Sequence, residues 1–199
     1  MKGNTKKLAV FVVIAAMAMF IAAAMASADD NKWSAFHGKY AATSVGTCLW
    51  TWTGWNPNLT AIDPTTGYTS STTQQTIWTF YPDGTGTGQG RNVGLNYVFP
   101  YYAAAGLSEV SWQFTYNITH DGTSTTDLIL GTFVGTFLQG PNKGLTWTWD
   151  KFSDSGMVSQ DHKTITLSSV APDVVKLTFG SIVNYGICSY GRVLTRVDE

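Results

Sequence analysis

Only 13% of the 199 residues are charged, histidine occurs three times and cysteine twice. Each scarcity excludes a class of function. Setting aside Lys2, Lys6 and Lys7 of the basic N-terminus leaves nine basic against thirteen acidic side chains, a net charge of −4. That balance excludes a nucleic-acid partner, which needs a basic footprint. His37, His120 and His162 form no ligand-spaced pair, and two distant cysteines make no close metal-binding pair, so no metal is expected. His120 and His162 stand beside Asp121 and Asp161 in turn-like contexts and read as solvated loop residues. No Gly-x-Ser-x-Gly elbow and no phosphate loop is present, and nothing calls for a cofactor. Helix signals are also missing after the N-terminal segment. Tyr101 to Glu109 is the one candidate, with Ala103 to Ala105 favouring a helical turn that Gly106 interrupts.

What is present begins with an export signal. The three lysines precede an uncharged apolar run, Leu8 to Ala24, and Ala26-Ser27-Ala28 supplies small residues at a cleavage position. The expected division is a signal peptide over residues 1–28 and a single domain over 29–199. An uncleaved run would be the chain's only attachment to a membrane, because it approaches the roughly 20 residues needed to span one. Export to the periplasm or the exterior implies an oxidising compartment, where Cys48 and Cys188 are expected to form a disulfide between the first and last strand regions.

The domain itself is written in period two. In Val110 to Thr119, Val110, Trp112, Phe114, Tyr116 and Ile118 alternate with polar residues, the mark of a half-buried strand. Cys48-Trp50-Trp52, Leu145-Trp147-Trp149, Ile165-Leu167 and Val175-Leu177-Phe179 repeat the pattern. Leu128 to Leu138 is more continuously apolar, with a bend expected near Gly131 and Gly135. Turn signals separate these runs at Pro82-Asp83-Gly84, Asp121-Gly122, Gly140-Pro141-Asn142, Asp154-Ser155-Gly156 and Pro172-Asp173. Asp150, Asp154 and Asp161 read as solvated loop carboxylates. About eight to ten strands with short links describe an antiparallel meander. A sheet of that size removes its edges by closing. An all-β, up-and-down barrel is therefore expected, with a two-sheet sandwich as the competing architecture.

Gly84, Gly86, Gly88 and Gly90 occupy alternate positions of one strand, which would leave one face bare for aromatic rings of a neighbour or for a sharp bend. All eight tryptophans follow the expected cleavage site. If the alternating faces point inward, Trp50, Trp52, Trp78, Trp112, Tyr116, Trp147 and Trp149 would wall a pocket for a small apolar or aromatic ligand. Plain core packing is the competing use of the same rings. Trp33 and Trp55 fall outside the strong strand patterns.

Gly38-Lys39-Tyr40 resembles the Gly-x-Trp motif that opens lipocalin barrels, with tyrosine in place of tryptophan, and Thr126-Asp127 is similar to that family's Thr-Asp motif. The resemblance implies that Gly38, Tyr40 and Arg192 (or Arg196) close the narrow end of the barrel and that the open end takes up an apolar small molecule. A barrel enzyme of the allene oxide cyclase type is similar in composition. In that reading, a cyclase or isomerase, Tyr97, Tyr116, His37 and Glu109 are the candidates to move a proton. An outer-membrane barrel is the third reading, since its strands also alternate over about ten residues. The acidic ending Val197-Asp198-Glu199 speaks against it.

Overall fold

A computed structural model describes residues 36–98, 102–140, 142–170 and 174–197. The proposed signal peptide, Pro172-Asp173 and the side chain of Tyr97 lie outside the described residues. The described residues from His37 onward form eleven strands and a single 3-10 turn at Pro64–Thr66. The strands are β1 (Gly38–Thr51), β2 (Tyr68–Phe80), β3 (Thr85–Val98), β4 (Tyr102–Ile118), β5 (Thr123–Leu128), β6 (Phe133–Phe137), β7 (Thr146–Trp149), β8 (Ser153–Val158), β9 (Thr164–Ser169), β10 (Val174–Phe179) and β11 (Ile182–Arg196).

The eleven strands occupy eight stations of a closed antiparallel ring. Strands β1 to β4 pair in sequence, and β11 returns to pair with β1 over twelve residues, from Tyr40↔Arg196 to Thr51↔Tyr185. Between β4 and β11 each station is a strand broken in two. Strands β5 and β6 both pair with β4, β8 and β7 follow them, and β9 and β10 both pair with β11. The ring can thus be traced through β5, β8 and β9 at one end or through β6, β7 and β10 at the other. Closure removes the exposed edges that an open sheet would present, and the sandwich alternative is set aside.

The first break is the bend anticipated near Gly131. Residues 129–132 leave the ladder in a turn where Gly131 takes a φ of 79°, a conformation suited to glycine. The Thr132 hydroxyl accepts from the Gln113 N–H (3.0 Å) and donates to the Ile129 carbonyl (2.7 Å), pinning the excursion to β4. Such insertions bend the strand that carries them, which helps a sheet coil into a barrel.

Where side chains are described, even-numbered residues of β1 to β4 and β11 face inward, as the alternating burial of Tyr40, Ala42, Ser44, Cys48 and Trp50 along β1 shows. Gly86 and Gly88 use this parity as anticipated, whereas Gly84 stands in the turn before β3 with a φ of 81° and Gly90 lies against the backbone of β2 with no ring over it. A Cβ on Gly86 would stand 2.2 Å from the Phe114 ring, and one on Gly88 would stand 2.1 Å from the Trp112 ring. In both cases the ring belongs to the residue directly opposite on β4. The same device recurs at Gly46 under Tyr190, Gly135 under Trp147 and Gly186 under Trp50, each again a directly opposed pair. Bare glycine backbone lets a large ring lie flat on the wall of a narrow barrel.

Cys48 and Cys188 face each other across β1 and β11 and are joined by a disulfide, with Cα atoms 4.1 Å apart. The two ends of the domain therefore meet at a covalently bridged seam, as the cysteine spacing suggested.

Two local expectations fail. The alanines of the expected helical turn lie in β4, because the continuous ladder with β3 (Leu95↔Ala105, Asn96↔Ala104) outweighs a weak local propensity. Asp154-Ser155-Gly156 is the middle of β8 and not a turn. Asp154 is fully buried and ion-paired with Arg192, so the carboxylate read as solvated is an interior one.

Candidate functional site

The lumen divides into two halves of different character. At the end where β2 turns into β3, β4 into β5 and β8 into β9, the inward side chains are large. Tyr40, Trp78, Phe80, Val110, Phe114, Ile165 and Leu194 are 0–1% exposed. Trp78 packs on Phe114 with ring centroids 4.8 Å apart and edge-on to Trp112 at 5.2 Å, and Phe80 meets both Tyr40 and Phe114. The hairpins that seal this end are braced by aspartates. Asp83 accepts from the Thr85 N–H and hydroxyl, and Asp121 accepts from the Thr119 hydroxyl and the Thr123 N–H. Those hydrogen bonds hold the Asp83 carboxyl below its ordinary value and bring that of Asp121 down to about 2.

A polar layer crosses the barrel above this core. Arg192 Nε donates to Asp154 Oδ2 at 2.7 Å and Nη1 donates to Gln74 Oε1 at 3.4 Å. The guanidinium also lies 4.7 Å from the Tyr190 ring centre, 5.4 Å from Phe152 and 5.7 Å from Trp78. A buried cation needs a counter-ion and neighbours that replace water, and this arrangement supplies both.

Beyond that layer lies a cavity of about 190 Å³. Its aromatic lining comes from Trp50, Tyr68, Phe137, Trp147, Trp149, Phe179 and Tyr190, and its polar lining from Ser70, Thr72, Gln74, Asn92, Asn96, Ser108, Asn142 and Asn184, with Leu177, Gly94 and Gly106 between them. Among the described residues no carboxylate, ammonium or guanidinium lines it. Gln74, Trp149 and Tyr190 form its floor, since they also border a void of about 20 Å³ beside Arg192. Burial raises the Tyr68 phenol to about 12 and also pushes up that of Tyr190, so both are neutral donors at ordinary pH.

The indole N–H groups are committed to the wall. Trp50 Nε1 donates to Ser70 Oγ at 2.7 Å, Trp147 Nε1 to Ser108 Oγ at 3.2 Å, and Trp149 Nε1 to the Lys151 carbonyl at 2.5 Å. Trp50 runs nearly parallel to Tyr68 (18°, centroids 6.2 Å apart) and meets Trp149 edge-on at 5.6 Å. Two side-chain oxygens on the cavity wall have no partner: Oδ1 of Asn92 and Oδ1 of Asn184, in residues only 8% and 7% exposed.

The residues singled out from sequence separate accordingly. Trp50, Trp147 and Trp149 line the cavity. Trp78 and Trp112 belong to the filled half, and Tyr116 sits at its far end, donating to the Tyr81 carbonyl, with its phenol raised to about 12 by burial and by Asp83. Trp52 lies past the end of β1 and is 56% exposed, because the strand stops at Thr51, whose hydroxyl engages Thr66 at 2.8 Å. Gly38 opens β1, and the Tyr40 hydroxyl donates to the His162 carbonyl, which ties the first strand to the β8–β9 turn. Arg192 spans the middle of the lumen over Tyr190, Phe152 and Trp78. Of the proton-transfer candidates, Glu109 and His37 are exposed, and Glu109 points outward from β4 opposite Arg91.

The polar lining was not singled out from sequence. Its one signal is parity: Gln74 shares a face with Trp78 and Phe80, and Asn92 shares one with Gly86 and Gly88. Amides inside strands are disfavoured, so their presence on an inward face marks a lumen that is not simply a core.

No family model, no curated protein and no solved structure matches this chain.

Proposed function

We propose that this chain is an exported, lipocalin-like barrel that binds a small neutral ligand in the open half of its lumen. The observation that carries the reading is the uncharged cavity of about 190 Å³, walled by fixed aromatic rings and interspersed amides and hydroxyls. A mostly apolar concavity with a few placed polar groups is the usual form of a small-molecule site. Its size is a little above the roughly 150 Å³ of an engineered cavity that admits benzene, so a single-ring compound matches it.

Export rests on the N-terminal pattern of residues 1–28 and on the disulfide, which fits an oxidising environment. Among the described residues no helix is long and apolar enough to cross a membrane. The outer face supports a barrel surrounded by water. Thr43, Gln75, Arg91 and Glu109 stand side by side across the middle of β1 to β4, all exposed, where a lipid-facing barrel would carry an apolar band.

The test is a titration of tryptophan fluorescence with a panel of neutral single-ring compounds, on the wild-type chain and on Gly94→Leu. A Cβ at Gly94 meets nothing closer than 3.9 Å and Gly94 lines the cavity, so a larger side chain there starts from open space and takes up cavity volume. Saturable binding that Gly94→Leu abolishes is the expected result. No binding across the panel, or binding untouched by Gly94→Leu, refutes the reading.

A further inference from the structure

We propose that the ligand is a neutral saccharide ring of the pyranose type, a single ring with several hydroxyls and one apolar face. This rests on the reading of the cavity as a ligand site and narrows it to a chemical class.

The hydrogen-bonding inventory of the wall distinguishes a sugar from a purely apolar ring. Asn92 Oδ1 and Asn184 Oδ1 are acceptors without donors. Ser70 and Ser108 each receive an indole N–H and still have their own hydroxyl proton to give. Gln74 is engaged by Arg192 through its carbonyl oxygen, which leaves its NH₂ group as a donor. The wall therefore offers donors and acceptors together, and the hydroxyl is the common group that answers both. A hydrocarbon or simple aromatic filling the same space would strip water from these groups and return nothing.

The remaining features fit the same class. The near-parallel Trp50 and Tyr68, with Trp149 edge-on, give an apolar wall for the C–H face of a sugar ring. None of the described lining residues is ionic, which disfavours charged ligands, since an unpaired buried charge is strongly unfavourable. The volume suits one ring with its substituents and is too small to enclose a sterol or a long acyl chain.

Isothermal titration calorimetry on the disulfide-intact protein would compare D-glucose, D-galactose, D-mannose and N-acetyl-D-glucosamine with phenol, benzene and D-glucuronate. One neutral pyranose should bind with 1:1 stoichiometry, and glucuronate should bind far more weakly. Asn92→Leu and Asn184→Leu should each weaken the sugar by roughly tenfold or more, the loss expected when a buried polar partner is removed. Should either variant misfold by near-UV circular dichroism, the side-chain amide resonances of Asn92 and Asn184 in the wild-type chain serve instead, and both should shift on sugar binding. Phenol or benzene binding without any sugar binding overturns the saccharide assignment and leaves the ligand-site reading intact. Sugar binding that neither asparagine senses also overturns it. Silence from every compound overturns both.

Discussion

The two halves of the barrel share the same sheet and the same alternation, yet one is filled and the other is not. At the sealed end, Gly86 and Gly88 face inward and each is covered by a ring from β4. At the other end Gly94 faces inward from the same strand and the nearest atoms to its missing Cβ are 3.9 Å away. A glycine opposite a large ring makes room for packing, whereas a glycine opposite another glycine, as Gly94 is opposite Gly106, leaves space. The open half replaces the missing core with covalent and polar ties, namely the Cys48–Cys188 bridge, the Trp50–Ser70 and Trp147–Ser108 hydrogen bonds, and the floor held by Arg192.

The strongest way to break this contrast is to remove the bridge. Cys48→Ala with Cys188→Ala opens a closure spanning 140 residues of sequence, which the chain-entropy model values at about 5 kcal/mol. Denaturant unfolding should show a loss of that order, with ligand binding lost at lower denaturant than the near-UV signal of the sealed end. Simultaneous loss of both would show that the halves unfold as one. Next in size is Asp154→Ala, which leaves Arg192 buried without its counter-ion and should cost about 3–5 kcal/mol by the same measurement. A loss under about 1 kcal/mol would mean that the guanidinium escapes to solvent.

The glycines give the most direct comparison. Gly88→Ala drives a methyl into the Trp112 ring and should destabilise by about 2–3 kcal/mol, while Gly94→Ala should change stability by less than about 1 kcal/mol. Equal effects at the two sites would erase the distinction between the halves. The smallest effect is alkaline. Burial raises Tyr68 in the open half and Tyr116 in the sealed half from 10 to about 12. Each is a protonated group held more tightly in the folded chain, so its contribution is fully present below pH 10 and is lost as pH rises toward 12. Unfolding free energy measured from pH 9 to 12 should fall, and Tyr68→Phe should flatten that slope. An unchanged slope would show that the phenol at the cavity wall is hydrated.

The architecture was legible because it rests on local signals. Alternation in Val110 to Thr119, turn chemistry at Pro82-Asp83-Gly84 and Asp121-Gly122, and two cysteines near the domain ends each carry their meaning within a few residues. Asp154 was misread because Asp-Ser-Gly has the composition of a turn, and only the ladder to β5 and β9 overrides it. The cavity wall was harder still. The first half of β2, Tyr68 to Gln75, is polar on both faces, so it shows no alternation to read. The polar residues facing a lumen look like those facing water.

The sequence alone determined which side chains share a face within the long alternating strands, the reversals at Pro82-Asp83-Gly84 and Asp121-Gly122, and that two sulfurs would be available near the ends of a strand-rich domain. Tertiary structure decided the closure into eight stations, the breaking of three of them, and the placement of the empty space. Whether a level of the barrel is full depends on the summed volume of the inward residues that register brings to that level from every station. No single strand contains that sum.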